Sequence, residues 1–171
     1  DIKVECFVSS GIPVLNGSNL GGFKLQEDTF RFVTEQKADQ LKNANARKGD
    51  IVITHRGTLG QISYIPDDAK YDRYVISQSQ FRIRCNHLVT PEYLVFYFHT
   101  REGQAKLLAN TSQVGVPALS RPTSTFREIE VDIPDVPEQK LVCETINSFC
   151  DKIELNNRII ANLEAQAQAI F

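Results

Sequence analysis

The stretch GDIVITHRGTLGQ, at residues 49–61, contains a predicted strand and a tight turn. Residues 50–54 are a short run rich in β-branched side chains, which is typical of a strand. Glycines at positions 57 and 60 permit the backbone conformations that a turn requires. Residues 61–65 (QISYI) are then predicted to return as the second strand. The stretch therefore predicts a β-hairpin.

Short apolar runs broken by Gly, Pro, Asn and Asp fill the chain on both sides of this hairpin, as far as residue 134. We predict further strands within 11–20 and at 74–76, 81–85 and 129–133, helices at 35–44 (capped by Thr34) and from Thr90 onward, and a loop at 111–124. Because strands and helices interleave irregularly, the sequence predicts an α+β fold with a twisted mixed β-sheet rather than a doubly wound one.

The end of the chain is one continuous helical pattern that starts near Pro137, a residue suited to the first turn of a helix. Apolar positions recur there at alternating spacings of four and three, which predicts a coiled-coil seam. The predicted helix-pairing residues are Val142, Ile146, Phe149, Ile153, Asn156, Ile160, Leu163, Ala167 and Ile170.

This helix would be roughly 50 Å long, which is more than a domain of this size can cover, so we expect a partner helix. Asn156 is the one polar residue on the seam. Such a residue commonly fixes the register of pairing, although it could instead face a solvent gap. The sequence therefore predicts two units, a domain at 1–134 and a long pairing helix at 135–171.

The formal net charge of the chain is −2, but the charge is unevenly distributed. Residues 37–90 contain nine Lys and Arg residues against five Asp and Glu residues, whereas residues 135–171 contain three against six. A basic segment beside an acidic one indicates that part of the chain contacts nucleic acid. A mixed solvated surface would give the same counts.

The sequence carries no recognised catalytic motif. It has no GxGxxG, GxxxxGK[ST], HExxH or GxSxG segment. Two acidic-plus-lysine fragments, at 66–70 and 134–140, each lie within one turn, whereas a Mg²⁺ site needs carboxylates from separate strands. His55, His87 and His99 are scattered and are interpreted as surface or packing residues. We therefore expect a non-catalytic protein without cofactor or metal.

The four cysteines, at positions 6, 85, 143 and 150, form no CxxC pair, and we expect them to stay reduced in a cytoplasmic protein. No apolar run approaches the length of a membrane span, and the first ten residues do not resemble a signal peptide, so no membrane partner is expected. The chain contains no Met, which indicates an excised or processed piece.

Five segments resemble, in order, conserved segments of the DNA specificity subunits of type I restriction-modification systems. They are GIPVLNGSNL (11–20), GDIVITHRGTLGQ (49–61), ISQSQFRIR (76–84), Pro134 with PEQ (137–139), and DKIELNNR (151–158). Val136 departs from the pattern, because the family usually has the first Pro of a Pro-Pro pair there. The strand-rich opening of the family is also short here, so the chain is expected to begin inside the domain.

The resemblance implies a DNA target-recognition domain followed by a long coiled-coil helix. Subunits of this family carry two such domains, and their antiparallel helices set the spacing between the half-sites of a bipartite target. Methylation and cleavage belong to separate modification and restriction subunits. This chain would then recognise one half-site of double-stranded DNA, direct those subunits, and pair through its helix with a second recognition half or a second copy.

Base edges are read by Arg on guanine and by Gln or Asn on adenine, so polar residues near the predicted turns are candidates. The base-reading candidates are Thr54, His55, Arg56, Thr58, Ser77, Gln78, Ser79, Gln80, Ser120 and Arg121. The phosphate-binding candidates are Lys42, Arg47, Lys48 and Lys70. Each could instead cap a turn or be a solvated charge, and Arg56 could pair with Asp50 or Asp72. Residues 77–80 could also be structural, because motif residues common to a whole family cannot by themselves encode a target that differs between its members.

Two other functions remain open from the sequence. The first is a protein-interaction adaptor with a globular head on a coiled-coil stem and no role in nucleic-acid binding. The second is a fragment of a nuclease or methyltransferase. Salt-dependent binding to duplex DNA would distinguish DNA recognition from the adaptor, and a bound cofactor or metal would identify the enzyme fragment.

Overall fold

A computed structural model describes residues 2–112 and 115–170 of the chain, except for the side chain of residue 170. The strands in this part are β1 (Phe7–Val8), β2 (Ile12–Leu15), β3 (Arg31–Val33), β4 (Asn45–Ala46), β5 (Asp50–Thr54), β6 (Ile62–Tyr64), β7 (Tyr74–Ile76), β8 (Gln80–Arg84), β9 (Thr111–Ser112) and β10 (Ala118–Leu119). The helices are α1 (Glu35–Gln40), α2 (Pro91–His99), α3 (Arg101–Leu108), α4 (Pro122–Arg127) and α5 (Val136–Ile170), with short 3-10 turns at Val4–Cys6, Gly17–Leu20 and Lys42–Ala44. The predicted α+β class and the long terminal helix are confirmed.

The larger sheet is mixed, as the sequence predicted. Its five strands lie in the order β1-β3-β2-β7-β4. The β2–β7 pair is parallel, with Val14 opposite Val75, and the other pairs are antiparallel. The parallel pair is connected through β3 to β6, so this sheet brings together segments that are distant in the sequence.

A three-stranded sheet, which we call the smaller sheet, contains the predicted hairpin and lies in the order β6-β5-β8, while β9 and β10 form a separate two-stranded pair. β5 is central, and all of its residues are buried. Its side chains alternate between two apolar clusters: Val52 belongs to one, while Ile51 and Ile53 belong to the other. This position between two cores explains why the run at 50–54 is almost continuously apolar.

The register of the β5–β8 pair determines which polar side chains lie at each end of this sheet. Asp50 lies opposite Arg84 at one end of the ladder, and Thr54 lies opposite Gln80 at the other. Since side chains alternate along a strand, Gln80, Arg82 and Arg84 share one face of β8, while Phe81 and Ile83 face the apolar cluster.

Three predictions from the sequence are wrong in detail. Residues 129–133 form no strand, and Ile129 and Val131 pack against the apolar cluster of Ile51 and Ile53 instead. Residues 111–124, predicted as a loop, contain the β9–β10 hairpin and the start of α4. The helix predicted at 35–44 begins at the Thr34 cap as expected, but it ends at Gln40 before a 3-10 turn.

Helix α5 docks on the head through its first turns. Gln139 is fully buried; its amide donates to the carbonyls of Leu88 (2.8 Å) and Pro134 (2.9 Å) and its oxygen accepts from the N–H of Thr90 (2.8 Å). These bonds satisfy the N–H of Thr90, the N-cap residue of α2, and two carbonyls in the segments that precede α2 and α5. The Gln139 amide suits this position because it donates and accepts hydrogen bonds at once.

A second polar contact extends the docking by two turns. Glu92 of α2 accepts from the Tyr64 hydroxyl (2.6 Å) and from the Asn147 amide (2.9 Å). Burial raises the pKa of Tyr64, and the carboxylate of Glu92 raises it further. Burial likewise raises the pKa of Cys143 to about 11, so this thiol stays protonated between Gln139 and Asn147. Positions 139, 143 and 147 lie on one helix face, which is the face that docks.

Beyond the docked turns, the described side chains of α5 are exposed. Phe149 is 62% exposed and Leu163 is 58% exposed. From Cys143 to Phe149 the helix turns by six residues, which places the seam about 120° away from the docked face. No helix in the described part of the chain combines the length and hydropathy that a bilayer crossing requires.

We predict that Gln139→Ala destabilises the head. The variant leaves one buried N–H and two buried carbonyls without their partner, and an unsatisfied buried polar group costs about 1–3 kcal/mol. The free energy of unfolding from urea titration should therefore fall by about 2–4 kcal/mol. Gln166→Ala, on the exposed part of the same helix, is the matched control and should change it by less than about 0.5 kcal/mol. Equal stability of the two variants would contradict this account of docking.

Candidate nucleic-acid interface

Three separate segments meet at the end of β5 where Thr54 lies opposite Gln80. They are the turn that follows β5, the turn between β7 and β8, and the strand β10 with the start of α4. We call their solvent-accessible polar side chains the reading surface. Its members are Arg56, Thr58, Gln78, Ser120 and Arg121, which are exposed, and His55, Ser77 and Ser79, which are half-buried.

Backbone hydrogen bonds through His55 hold these segments together. Its N–H donates to the carbonyl of Ser79 (2.8 Å), and its carbonyl accepts from the N–H of Leu119 (2.9 Å). Its ring Nε2 donates to the carbonyl of Gln78 (3.1 Å). His55 is therefore a structural link between all three segments, which the sequence did not indicate.

The turn after β5 depends on two glycines. Gly57 has φ +91° and Gly60 has φ +85°, values that other L-residues rarely adopt. The N–H of Gly57 donates to the carbonyl of Pro117 (3.0 Å), and Arg56 forms an isolated antiparallel bridge with Ala118. The turn thus lies against β10, with the Arg56 side chain exposed.

Arg56 makes no ion pair within the described residues. The two carboxylates that the sequence offered as its partners are used elsewhere. Asp50 pairs with Arg82 and Arg84, and Asp72 pairs with Lys48 at 3.0 Å. The guanidinium of Arg56 is therefore available to a ligand.

Two base-reading candidates are buried rather than exposed. The hydroxyl of Thr54 donates to the Gln61 side chain (3.2 Å) inside the hairpin. Gln80 is only 6% exposed, and its Oε1 accepts from the N–H of Ser77 (3.0 Å). Neither side chain is positioned to enter a groove of DNA.

Arg121 has an unusual backbone conformation. Its φ is +43°, the single positive value for a non-glycine residue in the described part of the chain. Arg121 adopts this left-handed conformation as the N-cap residue of α4, directly before Pro122. Non-glycine residues with positive φ occur preferentially at functional sites, so the strained conformation at this exposed arginine supports its membership of the reading surface.

The four phosphate candidates separate into two pairs. Lys42 and Arg47 are exposed and line one cavity with Arg73, Arg82 and Arg84. In contrast, Lys48 pairs with Asp72, and the ammonium of Lys70 donates to the carbonyl of Glu27 (3.2 Å). The structure therefore assigns Lys48 and Lys70 local contacts within the head.

Sequence reasoning missed the arginines of β8. Arg84 Nε lies 2.7 Å from Asp50 Oδ1, and Arg82 Nη1 lies 3.6 Å from Asp50 Oδ2. The Asp50 carboxylate is 1% exposed and also accepts from the N–H of Arg47 (2.9 Å). The period-two pattern of Gln80, Arg82 and Arg84 in QFRIR was a signal that could have identified one polar face of the strand.

No group of three or more His, Cys, Asp or Glu residues within 2–112 and 115–170 is arranged to hold a metal ion. His99 Nε2 donates to the carbonyl of Ile62 (2.8 Å), which is a packing role. All four cysteines are free thiols, and burial raises the pKa of Cys85 to about 11.

The sequence is similar to known proteins over nearly its whole length. Residues 7–165 match the model of the type I restriction modification DNA specificity domain. The type I restriction enzyme HindI specificity subunit of Haemophilus influenzae is 31% identical over 77% of the chain, which spans 28% of that protein. The type I restriction enzyme EcoBI specificity subunit of Escherichia coli is 21% identical over 96% of the chain, and the matched region spans 35% of that protein. The chain therefore covers about a third or less of these relatives.

Solved structures share the fold. The HsdS subunit from Thermoanaerobacter tengcongensis superposes with a TM-score of 0.64 at 17% identity, over 90% of this chain and 39% of that one. A chain from a study of complex assembly and conformational transition of the type I R-M system superposes with a TM-score of 0.68 at 14% identity. The match covers 99% of this chain and 39% of that one. These matches support the α+β fold with a long C-terminal helix that is described above.

We predict that Asp50→Asn strongly destabilises the protein. The amide cannot neutralise Arg82 and Arg84, and it loses hydrogen bonds to charged groups, which are typically worth about 1.5–3 kcal/mol each. Asp72→Asn is the matched control, because that carboxylate pairs with Lys48 but is 89% exposed, and it should cost less than about 1 kcal/mol. Urea unfolding of both variants measures the difference. Similar losses would show that Asp50 does not organise β8.

Proposed function

Because this chain belongs to the family of type I restriction modification DNA specificity domains, we propose that it recognises part of a target sequence in duplex DNA. In this proposal it is a non-catalytic, cytoplasmic protein that binds no cofactor or metal of its own. Methylation and cleavage are carried out by separate modification and restriction subunits, which it directs to the target.

The observation that carries the proposal is the reading surface. Segments around residues 56, 78 and 121 are far apart in sequence, yet backbone bonds through His55 hold them side by side. The surface offers two exposed arginines and a glutamine, the residue types that read guanine and adenine edges. A sheet that presents such side chains on turns at one end is suited to contact with base edges.

We also propose a division between a recognition domain at 1–134 and a pairing helix at 135–171. The first turns of α5 belong physically to the head, since Gln139 and Asn147 bond to it. The functional pairing segment therefore starts near Phe149, where the seam becomes exposed. Val142 and Ile146 lie closer to the head and are half-buried.

The partner of this segment is proposed to be a second recognition half or a second copy of the chain. An antiparallel pair would place Asn156 close to the Asn156 of its mate, where two amides can satisfy each other. Two heads would then lie at opposite ends, which suits a bipartite target with two-fold symmetry. The seam includes Ile160 and Ala167, both exposed, while the side chain of Ile170 lies outside the described residues.

The adaptor function is not favoured. An adaptor would require the exposed helix face, but it would not require two exposed arginines at converging turns. The family match and the specificity-subunit relatives support DNA recognition instead.

We predict that the chain binds duplex DNA with an affinity that falls as salt rises, and that Arg56→Ala weakens binding to a target selected from random duplexes. The loss should be about 1–3 kcal/mol, with discrimination relaxed at one base pair. The melting temperature should be unchanged, because Arg56 makes no ion pair in the described structure. Fluorescence anisotropy over a salt series measures both effects.

Arg158→Ala is the control for this experiment, since Arg158 lies on the exposed part of α5 and pairs with Glu154 on the same helix. It should bind the selected target like the wild type. Undiminished affinity of a folded Arg56→Ala variant would remove Arg56 from the reading surface. A wild-type chain without any salt-dependent DNA binding would refute the proposed function itself.

We predict that the chain self-associates through α5 when no second half is present. Each large apolar side chain on the seam contributes about 1.5–3 kcal/mol if it becomes fully buried. Ile160→Asp should therefore convert a dimer to a monomer in sedimentation equilibrium. Ala161→Asp adds the same charge about 100° around the helix and should leave the dimer intact. A wild-type monomer at high micromolar concentration would contradict this prediction.

A further inference from the structure

The outer edge of β8 carries no paired strand in the described part of the chain, because β8 pairs only with β5. Three cavities lie along this edge, with volumes of about 680, 530 and 570 Å³, and all three are lined by Arg82. The first reaches Gln80, the second lies at Arg84 beside α1 and β4, and the third reaches α4. We call these three cavities, which share Arg82 as a lining residue, the β8 groove.

The β8 groove is strongly basic. Its cationic residues are Lys42, Arg47, Arg73, Arg82, Arg84 and Arg127. Its two acidic residues are already neutralised, Asp50 by Arg82 and Arg84 and Asp39 by Arg73. Within the described residues, the side chains of Lys42, Arg47 and Arg127 have no ion pair. The groove therefore has excess positive charge that an anion would neutralise.

Two buried donors in the groove also lack acceptors. Gln80 Nε2 and Arg82 Nε have no hydrogen-bond partner in the part of the chain that the structure describes. Both residues line the 680 Å³ cavity together with Arg127. A buried donor without an acceptor is costly, and such groups are usually explained by a missing ligand or water. The ligand that fits must supply acceptor oxygens.

The geometry of Gln80 distinguishes between two parts of a DNA ligand. Reading adenine requires an amide that donates and accepts at once. The oxygen of Gln80 is already used by the N–H of Ser77, so only its N–H groups are free. An acceptor-only partner such as a phosphate oxygen therefore matches Gln80, and an adenine edge does not.

We propose that the β8 groove binds the sugar-phosphate backbone of the DNA whose bases meet the reading surface. Gln80, Arg82 and Arg127 contact one phosphate, and Lys42 and Arg47 contact a neighbouring one. From Gln80 to Arg84 the strand extends about 13 Å, which matches the axial rise of about four nucleotides in one strand of a duplex. This inference rests on the proposed DNA-binding function and reassigns Gln80 from base reading to backbone contact.

The test compares three groove variants with a matched control, using the full chain and a duplex of unrelated sequence over a NaCl series. Arg127→Gln and Lys42→Gln should each lower the salt slope of log affinity by about one unit. At 0.1 M salt this corresponds to a loss of about five- to tenfold in affinity. Lys152→Gln, which removes one charge from the exposed part of α5, should leave both quantities unchanged.

Arg82→Gln should have a similar effect on affinity, but it also removes a partner of Asp50 and can reduce folding. Arg127→Gln and Lys42→Gln keep the proposal testable, because neither side chain bonds to another described residue. Wild-type slope and affinity in both of these variants, with DNA binding intact in the wild type, would overturn the groove assignment and leave the proposed function standing.

A second arm tests the source of the phosphate. Inorganic phosphate titrated into ¹⁵N-labelled protein should shift the side-chain amide signal of Gln80, and Arg127→Gln should reduce that shift. If the wild type shows this shift but binds no duplex, the DNA backbone is the wrong ligand and the proposed function fails with it. If the wild type binds DNA but Gln80 does not respond to phosphate or to DNA, the contact at Gln80 is wrong.

Discussion

A buried carboxylate at the start of β5 is the constraint on which the smaller sheet depends. Asp50 has almost no contact with solvent, so its charge must be compensated within the fold. Arg82 and Arg84 supply that compensation from the neighbouring strand. The pairing fixes one polar face of β8, and it also holds two guanidinium groups at the edge of the groove. Stability and charge presentation thus depend on the same contact.

The register of β5 against β8 transmits this constraint to the opposite end of the ladder. With Asp50 opposite Arg84, Thr54 must lie opposite Gln80. That places His55 beside the turn between β7 and β8, where its hydrogen bonds gather the segments of the reading surface. A slip of one residue would move the arginines to the apolar face and separate the turns. The bonds of Gln139 then join α5 rigidly to the same head.

The sequence predicted the elements with clear local patterns. The hairpin at 50–65, the Thr34 cap and the long terminal helix were all accessible because periodicity and capping are local properties. It could not reveal that Thr54 and Gln80 are buried or that Asp50 pairs with Arg82, since both depend on the pairing of β5 with β8, whose partners lie about thirty positions apart. Likewise, the apolar alternation at 129–133 looked like a strand because burial and strand pairing give the same pattern.

The central claim is that DNA lies against the reading surface and along the β8 groove. Hydrogen-deuterium exchange of the full chain, with and without duplex DNA, tests this most directly. The account predicts slower exchange at 55–60, 77–84 and 118–127 in the presence of DNA, and no change in the exposed end of α5 beyond residue 150. Protection confined to α5, or to residues 24–30, which belong to neither surface, would contradict it.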